Sequence, residues 1–381
     1  MKLTYGMVGG GPGAFIGAVH RDAIRLDDTA DLVCGAFSSS REKCDIAAAE
    51  LGVDFSRSYE SYEVMAKAEG SREDKIDWVC IVTPNSLHYP VAKAFLEQGI
   101  NVVSDKPLTL TVEESLDLKR IAKDNGCLFG VTHAYTGYVM AREARQLFRD
   151  GVIGDVRMVM GEYPQDWILD TLEAITDDWK PWRADPALGG RGGACSDIGT
   201  HIVNMVEYVT GLKIDSLCSN LDVFEKKATL DNNMETLVRF KGGATGIYWA
   251  SQVAIGFENA LRVRIFGTKG TIEFAQENNN YLKLMLRGKP PMVYSRGAGY
   301  LTEEASKYVR TPTGHPEGLV EAFANLYKDF AAAVTDKKAG KEINEDDYGY
   351  PTIDMGISGV EFYNKCVDSS EAGGVWVSLD Y

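Results

Sequence analysis

The apolar run "KLTYGMV" leads directly into "GGGPGAFIG", residues 9–17. This junction constrains the fold more than any other stretch. A glycine turn behind a strand lets backbone N–H groups approach an anion. The helix that follows presents its positive end to the same place. The pattern then continues in alternation. "AVHRDAIRLD" reads as a helix, "ADLVCGAF" as a strand, "REKCDIAAAELG" as a helix and "IDWVCIVTP" as a strand. "YPVAKAFLEQG", "INVVSDKP", "TVEESLDLKRIAKDNG" and "CLFGVTH" repeat the same order. Strands that alternate with helices imply an α/β fold with a parallel, doubly wound sheet.

The loop matches a dinucleotide-binding fingerprint, in which backbone amides meet a pyrophosphate. Gly9 and Gly11 occupy its first two glycine positions. The third is Ala14 or, if the loop carries an insertion, Gly17. Gly17 is preferred, because the helix is expected to begin there, which leaves Phe15 and Ile16 inside the loop. An acid after the second strand would bind the ribose 2′-hydroxyl of NAD. The segment reads "GAFSSSR" instead. Ser38 and Arg41 are therefore the candidates at the ribose, with Arg41 suited to the 2′-phosphate of NADP. Alternatively, Ser-Arg only starts the next helix, with serine as its N-cap. NAD or NADP is left open.

Composition narrows the partners. The 381 residues suffice for two domains, expected at 1–130 and 131–381. The formal net charge is -15, with no Lys/Arg stripe, so nucleic acid and anionic membranes are poor partners. The seven cysteines are scattered singly, which suits reduced thiols. The amino terminus does not resemble a secretion signal, and a cytoplasmic location is expected.

In "GGACSDIGTH", residues 192–201, Asp197 and His201 stand four apart ahead of the apolar-periodic "IVNMVEYVTG". Helical spacing places them one turn apart on one face. Such a pair can share a metal, cap and fill a helix, or move a proton. A metal needs three or four ligands, and only His133 and His315 could be added, so no metal is expected.

Three motifs follow the glycine loop in order: "TPNSLHYP" (83–90), "SDKPLTLTVEES" (104–115) and "SDIGTH" (196–201). "GVIGDVRMV", "WRADPALGGRGG" and "RVRIFGTKGTIEF" extend the match. The set resembles the glucose-fructose oxidoreductase / inositol dehydrogenase (Gfo/Idh/MocA) family. The family's Glu-Lys-Pro appears as Asp105-Lys106-Pro107 and its Asp-x-x-x-His as Asp197 and His201. The resemblance implies a Rossmann domain and an α+β domain with a large, open, mainly antiparallel sheet. It also implies homo-oligomers, dimers or tetramers, built on that sheet, and substrates among polyols, sugars and glycosides.

Oxidising a secondary alcohol needs a base for the hydroxyl proton and a cation for the developing alkoxide. His201 is the candidate base, Asp197 its orienting partner and Lys106 the cation. Thr83, Pro84, Asn85, His88 and Asp105 are expected near the cofactor, together with Trp182 and Arg183 from a long aperiodic loop. His133, Tyr135, Tyr163, Arg183 and His315 are expected at the substrate. His20 reads as structural. Two rivals share the fold: a nucleotide-binding sensor without catalysis, and a glycoside-cleaving enzyme that oxidises transiently with bound NAD.

Overall fold

The computed structural model describes residues 2–176 and 178–381. The elements run β1 (Leu3–Gly9), α1 (Phe15–Leu26), β2 (Ala30–Ala36), α2 (Arg41–Leu51), α3 (Tyr62–Gly70), β3 (Trp78–Val82), α4 (His88–Leu96), β4 (Asn101–Ser104), α5 (Val112–Asp124) and β5 (Phe129–Val131). There follow α6 (Val139–Arg149), β6 (Val156–Pro164), α7 (Leu169–Glu173), α8 (Pro186–Gly189), α9 (Thr200–Thr210), β7 (Ile214–Asp222), β8 (Asn233–Phe240), β9 (Thr245–Ser251) and β10 (Arg262–Gly267). The chain ends with β11 (Gly270–Ala275), β12 (Tyr281–Leu286), β13 (Met292–Ser295), α10 (Glu303–Ser306), α11 (Leu319–Lys338), α12 (Ile353–Glu371) and β14 (Val377–Ser378).

Two compact units result. The first comprises Met1–Gly137 and Leu319–Ile357, the second Tyr138–Gly318 and Ser358–Tyr381. This differs from the expected division at residue 130, because 319–357 return to the first unit. The cause is visible along α11. Phe323, Leu326, Tyr327, Phe330 and Val334 recur at helical spacing and are buried in one core with Val19, Ala23 and Ile24 of α1. Each large apolar side chain buried there contributes about 1.5–3 kcal/mol. The stripe is legible in the sequence, but its partner lies some three hundred residues earlier.

The first unit holds a five-stranded parallel sheet in the order β2-β1-β3-β4-β5. Every residue of β3, "WVCIV", is buried, as a strand covered on both faces requires. The strand–helix alternation matches the sequence expectation, with α3 as an additional helix. Helix α1 begins at Phe15, two residues before the expected start. Before α5, Thr111 and Glu114 form a reciprocal capping box.

The second unit holds a nine-stranded sheet, ordered β13-β12-β11-β10-β6-β9-β8-β7-β14. Only β6 and β9 pair in parallel, so the sheet is mainly antiparallel. Helix α9 lies on one face. Its Ile202 sits so close to β6 that a Cβ on Gly161 would come within 2.2 Å of Ile202 Cγ2. Among the described residues, no helix is long and apolar enough to cross a membrane.

The capping box gives a direct test of local stability. Thr111→Ala removes the acceptor for the Glu114 amide, at a cost of about 1 kcal/mol. The urea midpoint should fall with an unchanged slope, and an unchanged midpoint would remove the cap from the stability account.

Candidate functional site

In the first unit the glycine turn is built from close backbone contacts. Gly9 has φ +85°, and a Cβ there would lie 2.6 Å from the Val82 carbonyl oxygen. The Gly11 amide donates to the Phe37 carbonyl at 3.1 Å, and the Ala14 amide donates to Gly11 at 3.0 Å. Gly17 packs on Gly10: a Cβ at 17 would come 2.5 Å from the Gly10 Cα. Ile16 packs against the core, whereas Phe15 is 75% exposed. A cleft of about 380 Å3 opens at this turn, lined by Gly10, Gly11, Gly13, Ala14, Arg21 and Glu50 among others. Arg21, which the motif reading missed, donates to the Gly10 carbonyl at 2.9 Å and braces the loop from below.

At the end of β2, the Ser38 hydroxyl accepts from the Ser40 amide at 3.2 Å. Ser40 holds the N-cap position of α2 but makes no side-chain capping bond, so the expected serine cap is absent. Arg41 pairs with Asp45 one turn along α2 and donates to the Ser58 carbonyl. At the end of β3, Pro84 leads into a short 3-10 turn, Asn85–Leu87, with Asn85 buried. Thr83 Oγ1 is buried there and has no hydrogen-bond partner among the described residues.

His88 sits between two backbone carbonyls. Its ring is buried, with Nδ1 2.7 Å from the Pro107 carbonyl oxygen and Nε2 3.0 Å from that of Thr83. Burial pushes its pKa down, so the neutral ring donates to one carbonyl at a time. It braces the turn after β3 against the turn after β4 through whichever ring nitrogen carries the proton.

Asp105 likewise faces inward. Its Oδ1 lies 3.0 Å from His20 Nε2 and accepts from Thr132 Oγ1 at 2.6 Å. Its amide donates to the Ile81 carbonyl. Lys106, half-buried, is the next residue. Burial opposes charge on His20, but Cys80 and the Asp105 carboxylate hold its pKa up to about 10. Burial likewise opposes charge on Asp105, yet His20 and Thr132 keep its pKa below the usual carboxylate value. His133 is buried, and burial together with the Lys106 ammonium pushes its pKa down to about 3, leaving the ring neutral. Tyr135 is half-buried against the core.

In the second unit, Asp197 lies in a π-helical turn, Cys195–Gly199, and His201 in the first turn of α9. Such turns recur at functional sites. Asp197 is no N-cap: its Oδ2 accepts from Gln252 Nε2 at 2.9 Å, a residue just after β9. His201 is 8% exposed, with its ring 5.9 Å from that of Tyr163. Tyr163 donates to Asn259 Oδ1 at 2.5 Å.

The start of the turn is clamped by Asp231, which sequence reasoning also missed. Its carboxylate accepts from the Gly193 amide at 2.5 Å and the Cys195 amide at 2.8 Å, and its carbonyl accepts from the Ala194 amide at 2.9 Å. A Cβ on Gly193 would lie 2.0 Å from that carbonyl oxygen, which explains the glycine. Elsewhere in this unit, Arg183 stacks over the Trp182 ring at 4.3 Å and lies 5.8 Å from that of Trp167. His315 is exposed, on a loop whose carbonyls are held by the buried Arg296. Among the described residues, no three His, Cys, Asp or Glu side chains are grouped to hold a metal.

Residues 3–133 match the family model for an oxidoreductase family with an NAD-binding Rossmann fold, and residues 141–273 match a GFO/IDH/MocA C-terminal domain. An uncharacterized oxidoreductase of Bacillus subtilis (strain 168), YfiI, is 36% identical, covering 99% of this chain and 97% of that protein. The chain belongs to the Gfo/Idh/MocA oxidoreductase family. An Azotobacter vinelandii inositol dehydrogenase homolog, solved with NADH and myo-inositol, superposes with a TM-score of 0.92 at 35% identity, covering 100% of this chain and 98% of that one. A Sinorhizobium meliloti oxidoreductase superposes at 0.89 with 43% identity, covering 99% and 100%. The protein is thus an oxidoreductase with an NAD-binding domain. The first unit fits that cofactor: its turn has no room for side chains at Gly9 and Gly11, and Thr83 offers a buried hydroxyl without a protein partner among the described residues.

The His20–Asp105 pair predicts a pH dependence. A histidine whose pKa is raised on folding adds stability that is full below its unfolded pKa, about 6.5, and is lost as pH rises through about 10. The urea midpoint of the wild-type chain should therefore exceed that of His20→Gln by more near pH 6 than near pH 10. A difference that does not change with pH would contradict a charged His20.

Proposed function

We propose that this chain is an NAD-dependent dehydrogenase acting on a CH–OH group of a polyol, sugar or glycoside. The full-length likeness to an enzyme homolog solved with NADH and myo-inositol carries this reading. The pairing of Asp197 and His201 over one helical turn supports it. NAD, when bound, supplies the hydride acceptor, held at the glycine turn and near Thr83. His201 takes the hydroxyl proton, as an imidazole can near neutral pH. Asp197, fixed by Gln252, orients the ring or a substrate hydroxyl. The Lys106 ammonium stabilises the alkoxide as the proton leaves.

Arg41 is occupied by Asp45 and Ser58, which supports NAD over NADP. That ion pair is exposed and screened by solvent, so kinetics must decide. A homo-oligomer built on the nine-stranded sheet completes the proposal, with a cytoplasmic location. Leu237 and Ile247 pair across β8 and β9, and each is nearly half exposed.

With NAD and a panel starting from myo-inositol, His201→Ala should lower kcat about 10²–10⁴-fold, with cofactor affinity unchanged. Lys106→Ala should be comparably damaging. Wild-type turnover in either variant would remove these residues from the chemistry. For cofactor choice, Arg41→Ala should change the NADP/NAD ratio of kcat/KM by less than about threefold, in keeping with a weak surface pair. A tenfold or larger fall, on the order of 1.4 kcal/mol, would place Arg41 at a 2′-phosphate.

A further inference from the structure

Behind Lys106 lies a buried polar chain that the reaction itself does not use. Four elements of the first unit contribute to it. Cys80 comes from β3, His20 from α1, Tyr327 from α11, and Thr132 follows β5. His20 Nδ1 is 2.5 Å from the Tyr327 hydroxyl, which is 3.1 Å from Cys80 Sγ. Cys80 Sγ also lies 3.4 Å from His20 Nδ1. On its other side, His20 Nε2 meets Asp105 Oδ1, which Thr132 also engages. The Phe323 ring closes over His20 at 4.8 Å, and His20 is fully buried. Lys106, His88 and His133 are further charged or titratable groups near Asp105.

Polar groups buried this deeply in a core are costly unless each is satisfied, and here each answers another. With both ring nitrogens protonated, His20 donates to Asp105 through Nε2 and to Tyr327 through Nδ1. The Tyr327 O–H then donates to Cys80. The arrangement fixes one backbone position: Asp105 is held by its carboxylate, and by its amide on the Ile81 carbonyl. The residue after Lys106 is held as well, by His88 on the Pro107 carbonyl. Lys106 is therefore gripped on both sides.

We propose that His20 and Tyr327 are positioning residues for Lys106, acting through the Asp105 carboxylate, and that aspartate at 105 is matched to the reach of His20. This rests on the reading that Lys106 serves the reaction. A core packed only for stability needs an apolar side chain at 20. A positioning role needs a donor aimed at Asp105. Glutamine retains such a donor without the charge, and leucine does not.

The test uses the full chain in two ways. First, lysines are reductively methylated with isotope-labelled formaldehyde, and the Lys106 NMR signal is assigned by its absence in Lys106→Arg. His20→Leu should move that signal, and His20→Gln should return it toward the wild-type position. Second, kcat and NADH affinity are measured on folded protein. His20→Leu should lower kcat about 10- to 100-fold, the scale of a misplaced catalytic group, with the NADH Kd within about threefold. His20→Gln should recover most of the loss, and Tyr327→Phe should lose less than His20→Leu. If His20→Leu does not fold, Asp105→Asn takes its place with the same expectations. An unmoved Lys106 signal, a kcat per folded chain within about twofold of wild type, or a glutamine variant no better than leucine would overturn the proposal. If the wild-type chain oxidises no polyol or sugar, the dehydrogenase reading fails, while the Lys106 signal still decides this one.

Discussion

The contact of Gly17 with Gly10 sets where α1 lies, and much of the first unit follows from it. Neither residue has a side chain, so the helix settles onto the glycine turn with Cα against Cα. Three consequences come from one helix. Its N-terminus points at the turn, where an anion is stabilised. Arg21, one turn on, reaches back to the Gly10 carbonyl. His20 faces the other way, into the core, and meets Asp105. One packing contact thus ties the cofactor turn to the turn that carries Lys106.

The second unit uses a different device for the same end. Its Asp197–His201 pair sits at a helix start that lacks a side-chain cap of its own. Asp231, just before β8, takes over that role: its carboxylate accepts from the Gly193 and Cys195 amides, which would otherwise be left to water. Gln252 then aims the Asp197 carboxylate. The turn that carries Asp197 is therefore held by backbone contacts to Asp231, and its carboxylate by the Gln252 amide.

The doubly wound sheet was legible because strand and helix periods alternate with turn residues between them, a local signal. The return of 319–357 to the first unit was not, because an amphipathic stripe does not name its partner. The same division runs through the site. The glycine loop, Lys106 and the Asp197–His201 spacing are short motifs, readable in order. Gln252, Asp231 and Tyr327 were missed because each acts across a long sequence separation, and Arg21, close to the glycine loop, because it belongs to no motif. His88 and Asp105 were placed beside the cofactor by motif position. In the structure His88 meets a pair of carbonyls, and Asp105 meets the Thr132 hydroxyl and the His20 imidazole. The family pattern locates the turns, and only the fold tells which side chains face out of them.

The most direct test of the central claim follows a single atom. A polyol or sugar oxidised by the wild-type chain is supplied with deuterium on the carbinol carbon, and the reduced cofactor is weighed by mass spectrometry. Direct hydride transfer predicts one deuterium in the nicotinamide for each molecule of ketone formed. Product with no deuterium in the cofactor, or no oxidation of any CH–OH compound in the panel, would contradict it.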